Sequence, residues 1–250
     1  MTSWQTELKT CTKKTRTQSQ SPPDMKNGVS SKGARMPRCF RKNRPAGKAK
    51  RTGAKNTTGP TMTDFPKDEK RTYSVSLILD ASSAEKILSA QKELAQVTKN
   101  DHLAKNPPPP HITLGFFHAR NDDFPKLKEC FENFANSVGE NFEIDFGQTD
   151  SFLDKVIFLS VEKDSKSFTQ LKNLNSILHK KFTDFGAGAN RNYLPENFFP
   201  HVALAVKLTK DQFEKGMNWA QGKPFSNARV IAVSLALCHP YKEISRITKE

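Results

Sequence analysis

Two short segments limit what this chain can fold into. They run from His111 to Phe117 (HITLGFF) and from His201 to Val206 (HVALAV). Each follows a proline, and each alternates a polar or small residue with an apolar one. Side chains of a β-strand point to opposite faces with a period of two. His111, Thr113 and Gly115 therefore share one face, opposite Ile112, Leu114 and Phe116. His201, Ala203 and Ala205 share another, opposite Val202, Leu204 and Val206. A half-buried strand thus displays a histidine at its start twice, with small side chains beside it that leave room for a ligand.

The surrounding elements repeat in the same order. Arg71 to Asp80 reads as a strand rich in β-formers. Ser82 or Ser83 is placed to cap a helix running to about Lys99, with Ile87, Leu88, Gln91, Leu94 and Val97 at helical spacing. Pro107 to Pro110 end that helix and deliver an extended chain into the first histidine strand. Asp122 or Asp123 opens a second helix with Phe124, Leu127, Phe131 and Phe134 on one face. Phe142 to Phe146 alternates as a strand, Gly147 to Asp154 reads as a turn, and Lys155 to Val161 as another strand. A helix from about Ser165 to Thr183 and a loop ending at Pro200 lead to the second histidine strand. Lys210 to Ala220 is predicted helical, Ala228 to Leu237 an apolar strand, and Ile244 to Ile247 part of a last strand. The histidines lie 90 residues apart in a loose internal duplication. This predicts an α+β, bilobal fold: two mostly antiparallel sheets flanking a central cleft.

Charge separates a tail from the folded part. Residues 1–62 carry fifteen Lys and Arg against two Asp and Glu, whereas the other 188 residues carry 25 against 24. The tail has few aliphatic residues and much Ser, Thr, Pro and Gly, so it lacks the apolar surface that offsets chain entropy. A disordered basic tail over 1–66 and a folded domain over 67–250 are expected. The cluster from Arg38 to Arg44, with Lys48, Lys50 and Arg51, attracts phosphate backbones non-specifically or serves as a nuclear-localisation patch. A solvated extension without a specific role is the plainer reading of the same residues. No uninterrupted apolar run suggests a membrane span or a signal peptide. Cys11, Cys39, Cys130 and Cys238 are scattered without a Cys-x-x-Cys pair, which suggests free thiols in a reducing cytoplasm. Phosphate-binding and dinucleotide-binding glycine loops are both missing. A monomer without metal or cofactor is expected.

Two histidines from separate strands suit phosphodiester chemistry. A neutral imidazole takes a proton from the attacking oxygen, and an imidazolium gives one to the leaving oxygen. A hydroxyl two positions along the strand can donate to a phosphate oxygen as charge develops. One His-x-Thr is common by chance; two Pro-His strands in matching places are not. On these residues the chain resembles the 2H phosphoesterase superfamily, which includes the bacterial 2′-5′ RNA ligase-like proteins and carries two His-x-Thr/Ser-x motifs followed by apolar residues. The resemblance spans about 70–250. It implies action on RNA or nucleotide phosphoesters, such as 2′,3′-cyclic phosphates or 2′-5′ linkages, with His111 and His201 catalytic and Thr113 binding phosphate. The first motif is complete. The second departs at Ala203, where the family has a hydroxyl. The expected activity is therefore a metal-independent phosphodiesterase weakened by Ala203, with ligation as its reverse; the alternative is an RNA- or nucleotide-binding module that has lost turnover. His102, His118, His179 and His239 read as surface or loop residues. Arg191, Asn192 and Tyr193 read as an ordinary polar loop or a cleft rim, and Tyr241 and Lys242 as a turn or a cleft contact.

Overall fold

The computed structural model describes residues 69–105, 108–186 and 190–249. The expected disordered tail and its basic cluster lie outside the described residues. Eight strands and four helices follow in order: β1 (Arg71–Leu79), α1 (Ala81–Thr98), β2 (His111–Ala119), α2 (Phe124–Ser137), β3 (Glu143–Ile144), β4 (Phe146–Phe152), β5 (Val156–Val161), α3 (Lys166–Lys181), β6 (His201–Ala205), α4 (Lys210–Ala220), β7 (Ala228–Leu237) and β8 (Lys242–Thr248). They build two antiparallel sheets. In the first, β7 is central: β1 pairs on one side and carries β2 as the edge, while β3 and β8 share the other side. The second is β4-β5-β6. The edge strands β2 and β6 lie against each other, so the two histidine strands meet where the sheets face.

Helices α2 and α3 pack on the larger sheet, and α1 and α4 on the smaller one. Helix α1 therefore leaves one sheet at the end of β1 and covers the other. Each lobe draws on both halves of the sequence, because every sheet has one apolar face to bury and the nearest helix in sequence is not its cover. Ile157, Leu159, Val161, Val202 and Leu204 form the helix-facing side of the small sheet, each at most 1% exposed.

Several local expectations change. Helix α1 is capped by Asp80, not by Ser82 or Ser83. Its Oδ1 accepts from the Ser83 N–H (3.0 Å) and its Oδ2 from the Arg229 N–H (2.8 Å), so one carboxylate joins the helix start to β7. Although partial burial opposes ionisation, these backbone donors hold the Asp80 carboxyl below its ordinary value. Val97 is exposed and Thr98 takes the buried position at the end of α1. The strand expected over 142–146 is only the two residues of β3, and most of the turn expected over 147–154 is β4. The polar composition of β4 hides it; pairing with the apolar β5 makes it a strand.

Candidate active site

Both histidines sit at the first residue of an edge strand, and both strands carry the same irregularity. Val75 pairs with Gly115 and Ser76 with Thr113, which leaves Leu114 unpaired as a bulge. Ile157 pairs with Ala205 and Phe158 with Ala203, which leaves Leu204 unpaired. Each bulge falls three residues after a histidine and ends the alternation there. Gly115 and Ala205, expected beside the histidines, are buried instead. A Cβ on Gly115 would lie 3.1 Å from the Phe117 ring and 3.3 Å from Leu178. Phe116, expected in the core, is half-buried and packs edge-on against Tyr193 at 4.8 Å. Of the residues expected on the cleft face, His111 and Thr113 of β2 and His201 and Ala203 of β6 remain there.

These four residues line one cavity of about 200 Å³, together with Gln91, Leu103, Pro108, Pro110, Tyr193 and Val202. The two imidazoles are held alike. Nδ1 of His111 lies 2.8 Å from the Pro109 carbonyl, and Nδ1 of His201 lies 2.8 Å from the Phe199 carbonyl. A carbonyl only accepts, so each Nδ1 carries a proton and donates it. That leaves Nε2 as the ring nitrogen free for chemistry in both cases. The proline before each histidine holds the chain extended, which suits the carbonyl two residues back to this bond. Burial pushes both imidazoles below their ordinary value, against the opposing pull of these hydrogen bonds; the charge on His111 further disfavours one on His201.

Thr113 faces Ser76 across β1–β2, and the Ser76 hydroxyl donates to Thr113 Oγ1 at 3.4 Å. With an acceptor position of Thr113 thus occupied, its own proton is directed elsewhere. Ala203 presents only a methyl group; its carbonyl accepts from Gln91 Nε2 at 2.9 Å. Gln91, read from sequence as part of the apolar stripe of α1, is a cleft-wall residue that ties α1 to the edge of β6. On the far side of His201 the small sheet is aromatic. Phe152 stacks on Phe158 at 4.2 Å, and their rings lie 5.1 and 5.0 Å from the His201 ring. Phe158 is buried, whereas Phe152 is 36% exposed.

The other sequence candidates separate cleanly. His118 lies within β2, not in a loop, and pairs with the Thr72 hydroxyl at 3.2 Å. His179 is not on an exposed helix face: it is half-buried against Phe117, and its Nε2 donates to the Tyr193 carbonyl at 2.8 Å. His102 and His239 are exposed. Tyr193 belongs to the cavity wall rather than to an ordinary loop, whereas Tyr241 and Lys242 lie at the β7–β8 turn outside that wall. Tyr193 lies in a short 3-10 turn whose position depends on α3, so strand alternation gives no signal for it. Lys172 of α3 donates to the Pro195 and Phe198 carbonyls, both at 3.0 Å, and so fixes the approach to His201. A roomier groove of about 530 Å³ lies between the α2–β3 turn and α3, but its titratable wall is Glu140, Glu143, Asp145 and Lys166, with no imidazole. Among the described residues, no group of three or more His, Cys, Asp or Glu side chains is placed to hold a metal ion. No described helix is long and apolar enough to cross a membrane.

The sequence profile of the 2′-5′ RNA ligase superfamily matches residues 83–238, more than half of the chain and both histidine strands. The chain belongs to this superfamily. Membership places it among the 2H phosphoesterases that its two motifs resemble, and phosphoester chemistry is the class of activity this carries. No curated protein sequence matches the chain. Among solved structures, Escherichia coli LigT complexed with 3′-AMP is similar with a TM-score of 0.51 and 15% identity, over 72% of this chain and 98% of that one. LigT in its apo form gives a TM-score of 0.50 and 16% identity over the same shares. At such identity the likeness is one of fold.

Proposed function

We propose that the protein is a metal-independent phosphodiesterase acting on RNA or nucleotide phosphoesters, with a 2′,3′-cyclic phosphate or a 2′-5′ linkage as its substrate. One observation carries the reading. Two imidazoles from opposing sheets line one cavity, each with Nδ1 committed to the carbonyl two residues earlier and Nε2 free. One neutral Nε2 removes the proton from the attacking water or hydroxyl. The other imidazole, protonated, gives a proton to the leaving oxygen, so both transfers come from the chain itself. Thr113 donates to a non-bridging phosphate oxygen. In the reverse direction the two imidazoles exchange roles and the same site joins ends. The LigT fold has been crystallised with 3′-AMP, and the exposed ring of Phe152 beside His201 offers a base a stacking face, which supports a nucleotide substrate.

Ala203 favours a second reading, a binding module without turnover, because one lost donor to a developing oxyanion costs about 10²–10³ in rate. The full-length protein, incubated without added metal with 2′,3′-cyclic nucleotides and 2′-5′ dinucleotides, separates the two. Product formation that falls at least about 10²-fold in both His111→Ala and His201→Ala supports the enzyme. Wild-type protein that binds these nucleotides and converts none of them supports the binding module. Undiminished turnover in both variants removes the site.

A further inference from the structure

Of the two histidine strands, only β2 brings a hydroxyl to the cleft. Thr113 supplies one from β2, while β6 places the methyl group of Ala203 at the corresponding position on the opposite wall. The Ala203 carbonyl, which accepts from Gln91, is no substitute, because a carbonyl does not donate to a phosphate oxygen. Tyr193, which bears a hydroxyl, lines the same cavity. Its ring lies 6.0 Å from that of His201 and packs edge-on against Phe116.

The turn that carries this phenol is held through its backbone. The Tyr193 carbonyl accepts from Asn175 Nδ2 at 2.9 Å and from His179 Nε2 at 2.8 Å. Asn175 is fully buried, and the same Nδ2 also donates to the Leu114 carbonyl at 2.7 Å, the bulge residue next to Thr113. One side-chain amide therefore sets Tyr193 and the phosphate-binding end of β2 in a common frame. Burial raises the phenol to about 12, so at neutral pH it keeps its proton and donates. The side chain stays partly exposed on the cavity side. A phenol on a cavity wall offers its O–H to whatever fills the cavity.

We propose that the Tyr193 hydroxyl donates to the phosphate of the substrate, in the place that Ala203 leaves without a donor. The proposal rests on the phosphodiesterase reading above. It recasts Ala203 as half of an exchange: the donor has moved from the strand to the turn that precedes it.

Tyr193→Phe tests this, because it keeps the ring and removes only the O–H. In the full-length protein, with a 2′,3′-cyclic nucleotide as substrate, kcat is expected to fall about 10²–10³-fold with KM nearly unchanged. The pH limbs set by the two imidazoles should stay in place, as should the melting temperature. Restoring a strand hydroxyl with Ala203→Ser in the Tyr193→Phe background should recover most of the loss. Wild-type kcat in Tyr193→Phe overturns the proposal. So does a loss that Ala203→Ser fails to rescue, or one accompanied by displaced pH limbs, since either assigns Tyr193 to packing. His111→Ala runs alongside: if that variant keeps full activity, the phosphodiesterase site itself fails, whatever Tyr193 does.

Discussion

On the proposed reading, the pH dependence of turnover is set at the scale of single imidazoles. In the free protein, burial lowers the pKa of both His111 and His201, and a charge on one opposes a charge on the other. Acid–base catalysis needs one of them neutral and one protonated, so kcat/KM is greatest midway between the two apparent values. Both are depressed, so the bell in kcat/KM is expected to centre below about 6.5, the ordinary imidazole value. Its alkaline limb falls as the last imidazolium is lost, and its acid limb as the base becomes charged. A bell centred above neutrality would contradict the buried environment. At this scale His111, Thr113 and His201 were legible because strand alternation after a proline leaves few arrangements. Gln91 and Tyr193 were not: a glutamine within an apolar helical stripe and a tyrosine in a polar loop gain their roles only when α1 and α3 bring them to the cleft.

Helix α4 approaches the small sheet closely at Gly216. A Cβ at Gly216 would stand 2.6 Å from Ile157 Cδ1 and 3.1 Å from Thr98 Cγ2. Ile157 is fully buried, so its terminal methyl would have to shift within the packed core. Ala is the better helix former by about 1 kcal/mol, but overpacking a filled core costs about 1–3 kcal/mol. Gly216→Ala is therefore expected to destabilise the protein by about 1 kcal/mol or slightly more, read as a lower urea midpoint at unchanged m-value; a raised midpoint would show that α4 is free to move away. Most elements were legible from periodicity, among them α4 and β7 with their full ranges. The exceptions have a common cause. Strand β4 is polar and exists through its ladder with β5, and the bulges at Leu114 and Leu204 appear only when two strands are set in register.

Across the whole chain, charge is unevenly placed. The excess of Lys and Arg lies in residues 1–62, while the rest is nearly balanced. Tail-driven RNA binding should therefore weaken steeply with salt, each contacted phosphate adding about 0.7 to the logarithmic slope on a single strand. Deleting residues 1–61 is expected to flatten that slope and leave hydrolysis of a small cyclic nucleotide unchanged, as followed by filter binding and chromatography. An undiminished slope after the deletion would move the polyanion contact to the folded part.

By itself the sequence determined the alternation of two histidine strands, the class of fold, the superfamily and three of the cleft residues, because these depend on short-range periodicity and on motifs contiguous in the chain. Tertiary structure alone decided which helices cover which sheet, where the strands slip by one residue, and that Gln91 and Tyr193 stand in the cleft with the imidazoles. Those outcomes follow from contacts between segments far apart in the chain, where the burial of one apolar face selects the partner of another.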